Sequence, residues 1–114
     1  MKKIVNDVNN VEEEMIQGLV KSAPKKLRKL DYGTIVVRAD KKEDKVALVS
    51  GGGSGHEPAH AGYVGTGMLD CAVAGTVFTS PTPDQVLEGI NAVAPDNGVL
   101  CVVKNYTGDG RNIE

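Results

Sequence analysis

The sequence predicts an α/β fold in which a parallel or mixed sheet is flanked by helices. Short apolar runs at 45–49, 70–73 and 99–104 are typical of strands, and segments with helical patterning lie between them. Strands that alternate with helices favour a parallel sheet with right-handed crossovers. With 114 residues, of which 40% are hydrophobic and 25% charged, the chain fits one small globular domain.

The first predicted element is an amphipathic helix that begins at Val11 and ends before Pro24. Its apolar residues recur at helical spacing, Asn10 is a candidate N-cap, and glutamates in the first turn complement the helix dipole. Two β-branched runs follow, at 34–38 and 45–49, and the charged turn between them favours a pair of strands.

The second half of the chain predicts the order helix, strand, helix, strand. Pro58 suits the first position of a helix, so we expect a short helix that carries His60. Segment 70–73 predicts a buried strand, 83–93 a helix and 99–104 a further strand. The apolar face expected for the 83–93 helix comprises Val86, Leu87, Ile90 and Val93.

The carboxyl ends of the three predicted parallel strands should lie along one edge of the sheet. Ligands in such sheets collect at this edge. The segments delivered there are 50–56, 75–80 and 105–109, and they contain most of the unusual polar residues of the chain. We therefore expect one pocket built from all three segments.

Composition and charge argue against several classes of function. A net charge of -2 with 4% aromatic residues disfavours a nucleic-acid partner, which needs basic surfaces and stacking platforms. No apolar run approaches the ~20 residues of a membrane span, and the amino terminus has no signal-peptide core. We expect a cytoplasmic protein without membrane or nucleic-acid partners, in which Cys71 and Cys101 are buried free thiols.

Four glycines in five residues make segment 50–55 unusual. Glycines permit positive φ angles and close approach of the backbone to a ligand, and their entropic cost favours a binding loop over a plain turn. The phosphate-loop and dinucleotide patterns do not fit, and a nucleophile elbow around Ser54 fails because His56 replaces its last glycine. We therefore expect a loop that makes close contact with a ligand.

Residues 56–60 match the zinc motif H-E-x-x-H, in which two histidines one helical turn apart bind the metal. The motif needs a continuous helix, whereas Pro58 is suited only to a helix start, which leaves His56 in the preceding loop. We therefore expect no bound metal, and a zinc hydrolase is a remote alternative. His60 is expected to be an ordinary polar residue near the pocket.

Three side chains at the expected rim suit a hydroxyl-bearing ligand. His56 could hydrogen-bond or exchange protons with a ligand, or only cap a helix. Asp109, between two glycines, could accept a hydroxyl proton, and Lys104 could donate to a carbonyl oxygen or to an exposed carboxylate. Because a carboxylate repels phosphate, these residues indicate a small, neutral ligand rich in hydroxyl groups.

The segments 45–58, 60–69, 78–84 and 104–109, taken together, resemble the substrate-binding (DhaK-type) subunits of dihydroxyacetone kinases over nearly the whole chain. The resemblance implies that residues 1–114 are the N-terminal portion, without an internal boundary, of a larger two-domain subunit. It also implies a cytoplasmic transferase of glycerol metabolism that phosphorylates dihydroxyacetone (glycerone) to dihydroxyacetone phosphate.

The resemblance further implies the roles of individual residues. His56 and Asp109 would assist proton transfer, and the residues in contact with substrate would be Gly53, Ser54, Gly55, His56, Lys104 and Asp109. The family also holds the substrate carbonyl covalently on a histidine well beyond Asp109, which these residues do not include, so the chain alone is expected to be inactive.

The resemblance assigns phosphoryl donation to another part of the system. This chain would bind no cofactor, and a nucleotide-binding kinase subunit or domain would supply ATP or a bound ADP that carries the phosphoryl group. The full-length subunit would be a homodimer. A non-catalytic paralogue that binds dihydroxyacetone as a sensor or coactivator fits the same motifs and stays open.

Overall fold

The computed structural model describes residues 2–40, 44–93 and 96–113, and it contains a five-stranded sheet with helices on both faces. The elements in chain order are α1 (Val11–Ser22), β1 (Leu27–Lys29), β2 (Ile35–Arg38), β3 (Ala47–Ser54), β4 (Cys71–Val77), α2 (Pro83–Val93), β5 (Val99–Val102) and α3 (Thr107–Ile113). One 3-10 turn, Ala61–Tyr63, lies between β3 and β4. The predicted α/β fold is confirmed.

The sheet is mixed, with strand order β1-β2-β4-β3-β5. β3 runs parallel to both β4 and β5, so Val49 lies beside Cys71 on one side and beside Cys101 on the other. β1 and β2 are antiparallel and extend the sheet beyond β4. The two β-branched runs are both strands, as predicted, but they do not pair with each other because β4 lies between them.

Both faces of β2 are covered, and this explains its unbroken apolar run. Val36 packs in one cluster with Ile16 of α1. Ile35 and Val37 point to the opposite face and pack in a second cluster with Val86 of α2. A strand buried on both faces does not show the alternation of polar and apolar residues that a half-exposed strand shows.

The bounds of α1 and α2 agree with the prediction, and two local details of these helices differ from it. Asn10 occupies the N-cap position of α1, but its side chain makes no capping hydrogen bond. Leu87 is 55% exposed, so the buried face of α2 is narrower than expected. α3 begins at Thr107 and therefore includes Asp109 in its first turn.

The helix predicted to begin at Pro58 is wrong. Residues 55–60 form turns, and only the single 3-10 turn follows them. A Cβ built on Gly62 would lie 2.8 Å from Cβ of Pro58, whereas Cβ atoms four residues apart in an α-helix are about 5–6 Å apart. Gly62 therefore lets the proline ring fold back in a way that a regular helix excludes.

A buried charge cluster holds the amino ends of β3 and β4 together. The carboxylate of Asp70 accepts from Arg38 Nη1 at 3.2 Å and from the backbone N–H of Leu48 at 2.8 Å, and it also pairs with Lys45. Burial by itself raises the pKa of Asp70, but the hydrogen bonds from Lys45 and Leu48 outweigh this effect and hold the pKa below its ordinary value of 3.8.

This cluster predicts that stability depends on pH through Asp70. Because the folded pKa is lowered, the stabilisation is present above the unfolded pKa and is lost as pH falls through the folded pKa. At about pH 7, Asp70→Asn should cost about 2 kcal/mol of unfolding free energy, since it removes one of the two carboxylates that pair with buried Arg38 and also the carboxylate that pairs with Lys45.

Urea denaturation of the 114-residue chain at about pH 7 and about pH 3 would measure this effect. The difference in unfolding free energy between the wild type and Asp70→Asn should be smaller at the lower pH. Asp31→Asn, which removes an exposed carboxylate, is the matched control. A difference that is equal at both pH values would contradict the assigned role.

Both cysteines are free, as predicted. Cys71 is fully buried, and burial raises its thiol pKa to about 12, while burial also raises the pKa of half-buried Cys101. These thiols are therefore protonated packing groups. None of the helices in the described parts of the chain is long and apolar enough to cross a membrane.

Candidate functional site

The carboxyl ends of the parallel strands meet at one rim, where Gly52 of β3 lies between polar groups from distant parts of the chain. A Cβ built on Gly52 would lie 2.9 Å from His60 Nε2 and 3.7 Å from Asp109 Oδ2. His60 comes from the turn segment after β3, and Asp109 comes from α3. The structure thus brings two proton-accepting side chains to the same point of the rim.

The glycine-rich segment is a strand and not the loop that the sequence predicts. β3 continues through Ser54, and Gly55 is the one glycine of this segment with a positive φ, at 114°. The glycines serve close packing: a Cβ on Gly51 would lie 2.5 Å from the Val73 carbonyl oxygen, and one on Gly53 would lie 2.7 Å from the Thr79 nitrogen. Their missing side chains let neighbouring segments close around the end of β3.

Two of the predicted contact residues are held by bonds within the protein. The Ser54 side chain is buried, and its hydroxyl donates to the Gly75 carbonyl oxygen at 2.8 Å. The backbone N–H of Gly55 donates to Glu57 Oε2 at 2.8 Å. These bonds tie the end of β3 to β4 and to the following turn.

Asp109 is 3% exposed and held in one orientation. The Ser80 hydroxyl donates to its Oδ1 at 2.5 Å, which leaves Oδ2 directed toward Gly52. Gly108 makes this bond possible, because a Cβ there would lie 2.6 Å from Ser80 Oγ. The sequence predicts that the flanking glycines allow Asp109 to point into a pocket, and in the structure Gly108 leaves room for the Ser80 hydroxyl that holds the carboxylate.

His56 and Lys104 lie toward the outside of the rim. His56 is exposed, and its ring contacts the edge of Phe78 with centroids 5.4 Å apart. Phe78 is 72% exposed and has a φ of 51°, a conformation that is uncommon for a large side chain. Lys104 is half-buried, and its Nζ lies 5.3 Å from the ring centre of Tyr106. Both side chains therefore remain accessible.

His60 is the residue that the sequence reasoning missed. Its Nδ1 lies 3.2 Å from Ser50 Oγ, and its Nε2 is buried without a hydrogen-bond partner among the described residues. Burial lowers the pKa of His60, the charge of Lys104 lowers it further, and Asp109 partly opposes both. The only hint in the sequence is that His60 closely follows the glycine segment.

The H-E-x-x-H pattern has no metal-binding geometry in this chain. Residues 56–60 form turns, so the two histidines are not on one face of a helix. Over the described ranges, no group of three or more histidine, cysteine, aspartate or glutamate side chains could hold a metal ion. His56 and His60 instead occupy the outside and the inside of the rim.

The sheet is mixed, and polar side chains that include a carboxylate, an imidazole and an amine lie at the carboxyl ends of its parallel strands. This arrangement is typical of α/β proteins that bind small molecules. Comparison with known proteins then identifies the family. The Dak1 domain model matches residues 17–114, and the chain belongs to the Dak1 domain family.

Relatives in this family are similar to the chain over its whole length. The chain is 59% identical over 114 residues to the dihydroxyacetone-binding subunit DhaK of PTS-dependent dihydroxyacetone kinase 1 from Listeria innocua. This match covers 100% of the chain and 35% of that protein. The chain is 51% identical to the DhaK subunit of the PEP-dependent dihydroxyacetone kinase from Escherichia coli, covering 100% and 32%. The chain thus spans about a third of the length of these relatives.

Solved structures agree with the fold. The native dihydroxyacetone kinase of C. freundii matches with a TM-score of 0.93 and 45% identity, over 98% of this chain and 21% of that one. A dihydroxyacetone kinase operon co-activator, Dha-DhaQ, matches with a TM-score of 0.83 and 41% identity, over 88% of this chain and 30% of that one. The same architecture therefore occurs in a kinase and in a co-activator.

Proposed function

We propose that this chain forms part of a site that binds dihydroxyacetone and presents it for phosphorylation to dihydroxyacetone phosphate. The observation that carries the proposal is the convergence of His60 and Asp109 beside Gly52 at the rim. Two acceptors at one point suit a ligand that donates from hydroxyl groups. The similarity to dihydroxyacetone-binding subunits supports the same ligand.

The residues predicted from the sequence take definite places in this proposal. Asp109 accepts the proton of the ligand hydroxyl that attacks the phosphoryl group, because Ser80 holds its carboxylate with Oδ2 toward the rim. His56 exchanges protons from the exposed side. Lys104 donates to the ligand, and the remaining contact residues, Gly53, Ser54 and Gly55, contribute through the backbone.

The remaining steps belong to groups outside residues 1–114. In this proposal a histidine in another segment captures the substrate carbonyl, and a nucleotide-binding partner subunit or domain provides the phosphoryl group. One solved relative is a dihydroxyacetone kinase in complex with AMP-PNP and Mg2+, which supports a nucleotide-bearing partner. The full-length subunit is proposed to be a cytoplasmic homodimer in which this chain is the N-terminal portion.

The similarity to the co-activator Dha-DhaQ favours a second function, in which ligand occupancy regulates a partner and no phosphoryl transfer occurs. The rim would bind dihydroxyacetone in the same way. The two functions differ in turnover, which makes them separable by experiment.

Calorimetric titration of the full-length protein with dihydroxyacetone, followed by a phosphorylation assay with the donor subunit, tests the proposal. We expect binding, weaker binding of hydroxyacetone with its single hydroxyl, and turnover that falls about 10²-fold in His56→Ala. Binding without turnover beside an active donor would favour the regulatory function. Absence of dihydroxyacetone binding would contradict both.

A further inference from the structure

Two hydrogen bonds link the end of β5 to the imidazole of His60. The Ser50 hydroxyl donates to the Val102 carbonyl oxygen at 2.7 Å, and Ser50 Oγ itself lies 3.2 Å from His60 Nδ1. We call this arrangement the Ser50–His60 relay. It connects β3, β5 and the turn segment after β3, so the position of the imidazole ring depends on three separate parts of the fold.

The relay determines which ring nitrogen carries the proton. A hydroxyl has one proton, and Ser50 donates it to Val102, so the proton between Ser50 and His60 comes from the imidazole. His60 is therefore protonated at Nδ1. A neutral imidazole has only one N–H, which makes Nε2 an acceptor. Burial and Lys104 lower the pKa of His60, so the ring is neutral at neutral pH.

The acceptor nitrogen faces the same point of the rim as Asp109. Nε2 is buried and takes no hydrogen bond from the residues that the structure describes. It lies 2.9 Å from the Cβ position of Gly52, and Asp109 Oδ2 lies 3.7 Å from that position. Two acceptors cannot satisfy each other, and a buried acceptor is stable only when a donor reaches it.

We propose that His60 Nε2 accepts a hydrogen bond from one hydroxyl of the bound ligand while Asp109 accepts from another. The site would thereby select ligands with two hydroxyl groups. A hydroxyl proton serves one acceptor at a time, so a ligand with a single hydroxyl leaves one of the two acceptors unpaired. The inference rests on the proposed function and adds a binding residue and a basis for substrate selection to it. His60 makes and breaks no covalent bond.

The tautomer of His60 is the first test, and it needs no ligand. Nitrogen-15 NMR of the full-length protein labelled at its histidines should show His60 protonated at Nδ1 and bare at Nε2, with the resonance assigned by its loss in His60→Asn. Ser50→Ala removes the acceptor of the Nδ1 proton and should raise the population with the proton on Nε2. A protonated Nε2 in the wild-type protein would overturn the inference.

Two substitutions separate the two ends of the ring. The amide nitrogen of His60→Asn replaces Nδ1 and keeps donation to Ser50, whereas the amide of His60→Gln reaches the position of Nε2 and can still accept there. In calorimetric titrations we expect the wild type to prefer dihydroxyacetone over hydroxyacetone by about tenfold or more. His60→Asn should lose most of this preference, and His60→Gln should keep part of it.

The outcomes distinguish the inference from the proposed function. If the wild type binds dihydroxyacetone and folded His60→Asn keeps the full preference, the inference fails and the proposed function stands. If the wild type does not bind dihydroxyacetone, both fail.

Should circular dichroism show that His60→Asn is unfolded, the wild-type Nε2 resonance is followed during titration with dihydroxyacetone. An upfield shift is expected, and an unchanged resonance overturns the inference.

Discussion

Asp109→Asn in the full-length protein is expected to lower turnover by about 10²–10⁴-fold while changing the affinity for dihydroxyacetone much less. Asparagine has the shape of aspartate, and its carbonyl oxygen can still accept from Ser80, so the local packing should persist. The amide cannot take up the proton that the attacking hydroxyl releases. Steady-state kinetics with the donor subunit, together with calorimetric binding, would measure both effects.

Asp84→Asn provides the matched control for this prediction. Asp84 and Asp109 both lie in the first turn of a helix, Asp84 in α2 and Asp109 in α3. Asp84 is exposed, whereas Asp109 is buried. The control makes the same change of charge and should leave turnover within about twofold, because exposed substitutions have small effects. Unchanged turnover in Asp109→Asn would remove the carboxylate from proton transfer.

Gly75→Ala should destabilise the chain by about 3 kcal/mol or more, because the added methyl group has no room. Its Cβ would lie 2.1 Å from the Thr79 carbonyl oxygen and 2.7 Å from the Pro81 nitrogen. Both atoms are backbone, so the turn after β4 would have to move, and with it Ser80, which holds Asp109. Urea denaturation of the 114-residue chain would measure the loss of stability.

Gly18→Ala is the opposite case in the same chain. Gly18 lies in α1, is exposed, and has nothing within 4 Å of its Cβ position. Alanine there should stabilise the chain by about 0.5–1 kcal/mol, because glycine has the greater backbone entropy in the unfolded state. Equal stability changes in Gly18→Ala and Gly75→Ala would show that the space around Gly75 is not what requires a glycine.

Helix propensity and apolar spacing were sufficient to place α1 and α2, but they did not predict β1, which lies in a basic stretch of the sequence. The bounds of α2 follow from Pro83 at its first turn and from the helical spacing of apolar residues, both of which are local. The prediction is wrong after β3, where Pro58 indicates a helix start by its local propensity. The ring of Pro58 instead packs on Gly62, a contact that local propensity does not describe.

The candidate site was predictable only in part. The carboxyl ends of parallel strands share an edge of the sheet, so the sequence could assign the polar segments after β3, β4 and β5 to one rim. It could not show that His60, and not His56, faces inward beside Asp109. That arrangement depends on Ser50, ten residues earlier, whose hydroxyl lies next to the imidazole only when β3 and β5 are paired.

The amino-acid sequence by itself determined the fold class, the bounds of α1 and α2, the free cysteines and the family motifs, because these depend on composition, spacing and short segments. The tertiary structure decided the strand order, the extended conformation of the glycine segment and the inward orientation of His60 and Asp109. These features depend on close approach between residues far apart in the chain. A glycine that adopts a special φ and a glycine that makes room for a neighbour are identical in sequence, and only the packed structure distinguishes them.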